Sequence, residues 1–312
     1  SVDDLAVINA SVLDSNFNIV PFSQSIQSPL TRTSFSPRID YQINDTNYLT
    51  ARYSFNKTTD ENNGIGGFSL ASRAYNTNST EHSFQLTETA VINKSIINET
   101  RFQFLSRKSE NSGSDSTSPT IQVLDAFTSG GSSVGNTGST TNRWELSNNT
   151  SWTLGNHSLK IGARLRGISL NDVSENNFAG TYTFTSLDQY RNVLQGVAGA
   201  TPTQFTITAG NAEAKIKQID FSTFVQDDWR VRPNLTMSFG MRYEAQTNVK
   251  NNINFAPRFG FAWSPDYKDG KNGKTVIRAG FGVFFDRVGE SLSLRADRYN
   301  GENLQSFVVT DP

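Results

Sequence analysis

The sequence predicts an all-β fold, part of an antiparallel up-and-down β-barrel that spans a membrane. Three observations support this prediction. Polar and apolar side chains alternate in ten separate runs, the connections between these runs alternate between short and long, and the apolar positions are rich in Phe, Tyr and Trp. Because successive side chains of a strand point to opposite faces, each run forms one apolar and one polar face.

The composition excludes several classes of protein. Of the 312 residues only 35% are apolar and 18% are charged, the net charge is −1, and there are two His and no Cys. The absence of Cys excludes a disulfide scaffold and a Cys-built zinc site. A neutral chain without basic runs argues against nucleic-acid binding. No apolar stretch reaches the roughly 18 residues of a transmembrane helix, and the 22 Phe argue against disorder.

The clearest predicted strand is Leu235–Glu244, whose odd positions are all apolar and whose even positions include Arg and Glu. Its length fits a tilted membrane-spanning strand of about 9–11 residues. Glu88 and Asp227 interrupt the apolar faces of two other strands. The remaining predicted strands are Arg38–Ile43, Tyr48–Phe55, His82–Ile92, Ile96–Phe104, Trp144–Trp152, Leu159–Leu165, Lys217–Trp229, Phe255–Trp263 and Thr275–Phe285.

The connections between these strands form two classes. The short ones are Asn44–Asn47, Asn93–Ser95, Gly155–His157, Val231–Asn234 and Pro265–Lys274. The long ones are Asn56–Thr80, Arg107–Asn142, Gly167–Ile216 and Ala245–Asn254. This alternation is typical of a transmembrane barrel with short turns at one end and long loops at the other. The long loops offer two extra strands, Thr181–Thr185 and Gln204–Thr208, and one short helix, Asp188–Val197.

The alternation assigns the charged and aromatic side chains to opposite faces of the barrel. The residues predicted to face the lumen are Arg52, Arg101, Arg164, Arg242, Glu244, Arg258 and Arg278. The residues predicted to form a lipid-facing aromatic girdle are Tyr53, Phe104, Trp152, Trp229, Phe239, Tyr243, Trp263, Phe281 and Phe285. The charged set has two interpretations: it lines a plug interface or a solute path, or it hydrates the barrel interior.

A soluble all-β sandwich or barrel is the main structural alternative, since its strands also alternate. The apolar content is too low to fill an enclosed core in a chain of this length, which favours the membrane-spanning barrel over the soluble fold. Of the two His, His157 lies in a tight turn and His82 near a long loop. A ten-stranded outer-membrane protease would place its site near His82, but no Asp matches it, so no catalytic residue and no enzyme activity are predicted. Asp266–Asn272 lacks the Glu and spacing of an EF-hand, so a turn is predicted there, without a metal site or cofactor.

Three stretches carry a family resemblance. They are Phe224–Glu244 (FVQDDWRVRPNLTMSFGMRYE), Phe255–Pro265 (FAPRFGFAWSP) and Thr275–Arg287 (TVIRAGFGVFFDR). They resemble consecutive barrel segments of TonB-dependent outer-membrane transporters, in particular of the Oar-like group. The resemblance implies a bacterial outer-membrane location, a 22-stranded barrel that encloses an N-terminal plug, and energy coupling through the inner-membrane TonB complex.

The resemblance also sets the expected domain organisation and function. Residues 1–312 correspond to an incomplete barrel domain of about ten strands, without plug, N-terminal motif or C-terminal strands. With periplasmic short turns, the first predicted strand begins outside the cell and the last one ends there, which agrees with an internal fragment. The expected partners are outer-membrane lipid, the plug of the same chain, the TonB complex and an unidentified extracellular ligand. A passive porin, an adhesin-like barrel and a soluble all-β binding module stay open as alternatives.

Overall fold

A computed structural model describes residues 2–268 and 273–312 of the chain. Each of the ten predicted strands is present, together with seven others and two short helices. The strands are β1 (Val2–Leu13), β2 (Ile19–Phe35), β3 (Arg38–Asn44), β4 (Asn47–Asn63), β5 (Tyr75–Asn93), β6 (Ile96–Gly113), β7 (Thr120–Val123), β8 (Phe127–Gly130), β9 (Asn136–Leu154), β10 (His157–Ser174), β11 (Thr181–Phe184), β12 (Gln204–Gly210), β13 (Glu213–Arg232), β14 (Leu235–Gln246), β15 (Asn254–Trp263), β16 (Ile277–Gly282) and β17 (Leu304–Thr310). The helices are α1 (Leu187–Leu194) and α2 (Glu290–Arg298), and a 3-10 turn covers Ala71–Arg73. Neither α-helix is long and apolar enough to cross a membrane.

Twelve strands form one antiparallel sheet in the order β1-β2-β4-β5-β6-β9-β10-β13-β14-β15-β16, with β3 also paired to β4. Strands β2 and β3 pair with consecutive parts of β4, from Leu30 with Asp60 to Asn44 with Asn47. Residues 19–44 therefore run as one long strand with a break. The described part of the sheet is an open barrel wall whose edges are β1 and β16.

The central strands extend further than the sequence predicts. Strand β5 begins at Tyr75 and not at His82, and it pairs with β6 along its whole length. Strands β9, β10 and β13 also extend into the segments predicted as long loops. The added residues show no apolar alternation, because a strand that leaves the membrane has polar surroundings on both faces. Their backbone hydrogen bonds nevertheless continue the ladder.

The segments predicted as long loops, Asn56–Thr80, Arg107–Asn142 and Gly167–Ile216, contain further short strands and a helix besides the extended ends of the wall strands. A second sheet has the order β17-β12-β11-β7-β8, and α1 lies beside it. The predicted extra strands and the short helix are present as β11, β12 and α1. The hairpin of β1 and β2, which alternation did not reveal, belongs to the main sheet but packs against this second sheet through Ile8 and Ala10 of β1. We call these elements together the loop module.

The loop module contains the apolar core of the chain, centred on Ile8, which is fully buried. Val123, Phe127 and Phe184 are buried around it. Tyr190 of α1 makes edge-to-face contacts with Phe127 and Phe184, with ring centroids 5.5 and 5.0 Å apart. Aromatic pairs prefer such tilted arrangements.

The apolar face of the main sheet, in contrast, remains uncovered. Phe281 is 73% exposed and Phe239 is 42% exposed. A water-soluble sandwich would cover such a surface with a second layer. An uncovered face of this kind is typical of a strand wall in contact with lipid.

Truncation of the buried core residue tests the loop module. We expect Ile8→Ala to destabilise it by about 2–5 kcal/mol, the usual effect of removing a buried aliphatic side chain. The readout is limited proteolysis of the folded full-length protein, with faster cleavage in the loop module and an intact barrel. Val7→Ala is the matched control, because Val7 is 46% exposed. Equal cleavage rates for the two variants would contradict this account of the core.

Candidate functional site: the polar face and its strap

The strand register brings the seven residues of the predicted lumen set onto one face. Directly paired residues of an antiparallel ladder project to the same side. One row of pairs runs from Arg52 through Gln85 and Gln103 to Arg166 and Asp220. Tracing the neighbouring rows in the same way places the whole set on this side, namely Arg52, Arg101, Arg164, Arg242, Glu244, Arg258 and Arg278. We call this side the polar face.

Eight of the nine predicted girdle residues lie on the opposite, apolar face by the same register. They are Tyr53, Phe104, Trp152, Trp229, Phe239, Tyr243, Trp263 and Phe281. The prediction for Phe285 is wrong. Strand β16 ends at Gly282, the chain then turns across the polar face, and Phe285 lines a cavity of about 180 Å³ beside Arg164 and Asp220.

Residues 283–298, which we call the strap, cross the polar face from β15 towards β9. The strap consists of the segment 283–289 and helix α2. The helix follows Gly289 and carries Glu290 in its first turn, with Arg295 and Arg298 in its last turn. This order of charges complements the helix dipole.

Asp220 is the central attachment point of the strap. Its side chain is only 7% exposed. Arg166 Nε donates to Asp220 Oδ2 at 2.8 Å, and Arg287 Nη1 of the strap lies 3.7 Å from the same oxygen. Gln218 Nε2 donates to Asp220 Oδ1 at 3.0 Å. A carboxylate at this depth requires such partners, because burial of an unpaired charge is strongly unfavourable.

Two buried glutamines hold the strap backbone at Val288. Gln246 Nε2 donates to the Val288 carbonyl at 2.7 Å, and the Val288 amide donates to Gln246 Oε1 at 3.1 Å. Gln218 Nε2 reaches the same carbonyl at 3.3 Å. The two side chains replace the ladder partners that a segment outside the sheet lacks.

Helix α2 is tied to the wall at both ends. Glu290 forms an ion pair with Arg143 of β9. At the other end the buried Arg298 donates to Asp172 of β10, to Oδ1 at 2.5 Å and to the backbone carbonyl at 3.0 Å. The strap is thus held at several points by groups that the wall directs towards its polar side.

The predicted polar residues take different positions relative to the strap. Arg242 pairs with Glu244 (Nε–Oε1 2.6 Å), and the Arg258 guanidinium lies 4.5 Å from the centroid of the Phe284 ring in the strap. Arg164 and Glu244 line the cavity beneath the strap. The other three, Arg52, Arg101 and Arg278, are exposed along the polar face.

Sequence reasoning missed the residues that hold the strap. Gln218 and Asp220 lie at even positions of the predicted strand Lys217–Trp229, so alternation placed them on the polar face without marking a role. No periodic signal connects them to Arg287 or Val288, about 70 residues later in the chain. Only the fold brings them together.

Both His lie on the apolar face with neighbours from adjacent strands. His157 Nδ1 is 2.6 Å from Asp227 Oδ2, and its ring stacks on Trp229 with centroids 5.3 Å apart. His82 Nδ1 is 2.7 Å from the Tyr53 hydroxyl. The acidic interruption at Asp227 is therefore paired with a side chain at the short-turn end of the wall.

The loop module has its own polar attachments. Arg73 donates to Thr120 Oγ1 at 2.5 Å and to Ser133 Oγ at 3.0 Å, and burial lowers its pKa. In the exposed turn after β6, Asp115 Oδ1 accepts from the amides of Thr117 and Ser118 at 3.0 and 2.9 Å. Hydrogen bonds from Ser118, and then from the Thr117 amide, lower the pKa of Asp115 to about 2.

The turn predicted at Asp266–Asn272 is only partly described by the structure, because residues 269–272 lie outside the described part of the chain. The Asp266 carboxylate accepts from the amides of Lys274 and Thr275 at 2.8 and 3.0 Å. Within residues 2–268 and 273–312, no group of three or more acidic or His side chains is placed to hold a metal ion.

The comparisons with known proteins agree with this geometry. The outer membrane beta barrel domain family matches residues 6–254 and 247–311. The chain belongs to this family. The protein is therefore a component of the bacterial outer membrane, and the wall of β-strands is part of a membrane-spanning barrel. No curated protein sequence matches the chain.

Two solved structures show the same fold. The outer membrane transporter YddB from Escherichia coli has a TM-score of 0.64 at 13% identity over 98% of this chain and 37% of its own. The siderophore receptor PirA from Pseudomonas aeruginosa has a TM-score of 0.50 at 13% identity over 81% of this chain and 33% of its own. The chain thus spans about a third of the length of these structures.

Neutralising the central carboxylate tests the attachment of the strap. We expect Asp220→Asn to lower the free energy that attaches the strap to the wall by about 3 kcal/mol, because Arg166 and Arg287 lose the carboxylate that they share. A spin label at Leu292→Cys, on the exposed side of α2, should become more mobile, and the chain contains no other Cys. Asp228→Asn is the control, since this carboxylate lies on the same strand and face but accepts from Ser238 at 2.6 Å. Equal mobility in the two variants would remove Asp220 from this role.

The Asp115 turn predicts a defined acid response. Its lowered pKa means that the ionised form stabilises the turn above the ordinary value of 3.8, and this contribution disappears as the pH falls towards about 2. The protection factors of the Thr117 and Ser118 amides, that is, their exchange rates relative to the intrinsic rate at each pH, should therefore stay constant from neutral pH to about 4 and fall below that. In Asp115→Ala both amides should be weakly protected at every pH. A wild-type transition well above pH 4 would contradict the assignment.

Proposed function

We propose that this chain is the barrel wall and loop region of a TonB-dependent uptake receptor that resembles the Oar-like group. The observation that carries the proposal is the strap, which crosses the polar face and is held by buried charges. In an outer-membrane barrel the apolar face contacts lipid and the polar face surrounds the interior. The strap therefore narrows the interior, as expected of a receptor that does not conduct freely.

The loop module supports the same function. It has a core of its own, and it is built from the segments at the long-loop end of the wall, which in this class of barrel is extracellular. Folded loops can present a defined binding surface, and binding residues commonly lie on loops positioned by a rigid scaffold. We infer that the loop module captures the ligand and that the polar face and strap line its route.

We infer energy coupling through TonB from the motif resemblance. The hairpin Phe224–Glu244 corresponds to β13, its turn and β14, next to the strap contacts at Gln218 and Gln246. The similarity in fold to an outer membrane transporter and a siderophore receptor agrees with uptake. The chain acts as a transport component without catalytic residues or a cofactor, and its partners are lipid, a plug in the same protein and the TonB complex.

Conductance and partner binding of the full-length protein test this function. In a planar bilayer with potassium chloride on both sides, we expect no steady conductance, because strap and plug close the interior. The detergent-solubilised protein should bind the periplasmic domain of TonB. Steady ohmic conductance without TonB binding would instead identify a passive porin.

A further inference from the structure

Two carboxylates, those of Asp227 and Glu88, interrupt the apolar runs that the sequence predicts for the wall. Asp227 is paired with His157, whose Nδ1 lies 2.6 Å from Asp227 Oδ2. Glu88 lies mid-way along the apolar run of β5, between Leu86 and Ala90. Within residues 2–268 and 273–312 the ion pairs do not include Glu88. An ionisable side chain without a partner in hydrocarbon is unfavourable and usually marks a functional contact.

A patch of amide and hydroxyl groups lies beside Glu88 on the same face. Its members, which we call the Asn–Thr patch, are Asn98 and Thr100 of β6 and Asn148 and Thr150 of β9. Glu88 pairs directly with Thr100, and Thr100 with Asn148. The patch thus interrupts the apolar face between Phe102 and Phe104 towards the loops and Ile96 and Trp152 towards the turns.

The amides of the Asn–Thr patch satisfy one another. Asn98 Nδ2 donates to Asn148 Oδ1 at 3.1 Å and to Thr150 Oγ1 at 2.8 Å. Asn148 Nδ2 donates to Asn98 Oδ1 at 3.0 Å and to Thr100 Oγ1 at 2.8 Å. Each amide nitrogen therefore uses both of its hydrogens, and Thr100 donates to Asn98 Oδ1 at 3.3 Å.

One donor of the patch remains uncommitted. Thr150 Oγ1 accepts a hydrogen bond from Asn98, and within the described residues its own proton has no acceptor side chain. The surface thus offers one acceptor group, the Glu88 carboxylate, and one donor, the Thr150 hydroxyl. A surface with both groups is complementary to itself.

Two of the side chains that adjoin the patch on the flanking strands are small. Ala90 of β5 pairs with Asn98, and Ala163 of β10 pairs with Asn148. Small and polar side chains allow close approach between membrane-embedded surfaces and hydrogen bonding across them.

We propose that a second copy of this chain docks on the Asn–Thr patch through a two-fold contact within the membrane. Strands β5 and β9 flank β6 and lie about 10 Å apart, at about 4.8 Å per strand. A two-fold axis over β6 at Thr100 therefore places Glu88 of each copy opposite the Asn148–Thr150 segment of the other. Glu88 then accepts from the Thr150 hydroxyl, twice in the dimer. Such an isologous contact is the commonest symmetry of homo-oligomers.

Thiol cross-linking of the full-length protein in native outer membranes tests this contact, with any Cys elsewhere in the protein replaced by Ser. A bis-maleimide reagent that spans about 10 Å, the usual spacing of two packed sheets, should link Thr100→Cys of two copies into a dimer on denaturing gels. Phe239→Cys is the matched control, exposed on the same face but several strands away, and it should stay monomeric. A monomeric Thr100→Cys with a reactive thiol would overturn the proposal, as would a cross-link to a different polypeptide.

A second comparison tests the role of the carboxylate. In the Thr100→Cys background, Glu88→Leu combined with Thr150→Val should lower the dimer yield by about tenfold, as for the loss of polar contacts between membrane segments. Glu88→Gln retains an acceptor oxygen and should retain the dimer. Heat-modifiable migration on gels establishes that each variant has folded. An unchanged yield in the folded double variant would refute the role of Glu88 and Thr150.

Discussion

Every backbone amide and carbonyl of a strand inside a membrane needs a partner on a neighbouring strand, because hydrocarbon supplies none. This constraint underlies the rest of the structure. It produces the long ladders from β2 to β16, with one face towards lipid and the other towards the interior. It also explains why a protein with so few apolar residues has a stable wall: lipid completes the apolar side, and the buried apolar cluster of the described residues lies in the loop module around Ile8.

Charges follow the same division between the two sides. On the polar face, ionic groups occur in pairs that tie one element to another, as Asp220 does with Arg166 and Arg287, and Arg298 with Asp172. On the apolar face, charge is rare and its surroundings are specific. Asp227 is paired with His157, whereas Glu88 has no ion-pair partner among the described residues and lies beside amides and hydroxyls. The same physical rule thus accounts for the attachment of the strap on the polar face and for the proposed contact on the apolar face.

Alternation located the ten strands and distinguished the two faces, because each face of a membrane strand has a constant environment. It failed wherever that environment changes. At the long-loop end of the wall, β5, β9 and β10 have polar surroundings on both faces. Their sequences therefore show no alternation there, although the residues form strands. The hairpin of β1 and β2 stacks on the loop module, so the pattern there reflects local packing. For Phe285 alternation suggested a longer strand, but the chain leaves the sheet after Gly282, and the side chain lies on the polar side.

The sequence by itself determined the fold class, the membrane location, the partition of Arg242 and Tyr243 to opposite sides, and the ends at which turns and loops lie. These properties depend on neighbours in the chain and on a period of two. Only the tertiary structure decided that residues 283–298 return across the wall, that Gln218 and Gln246 hold Val288, and that Glu88 adjoins Asn98 and Asn148. These contacts join residues that are far apart in sequence, and register between strands, which no local pattern encodes, brings their side chains together.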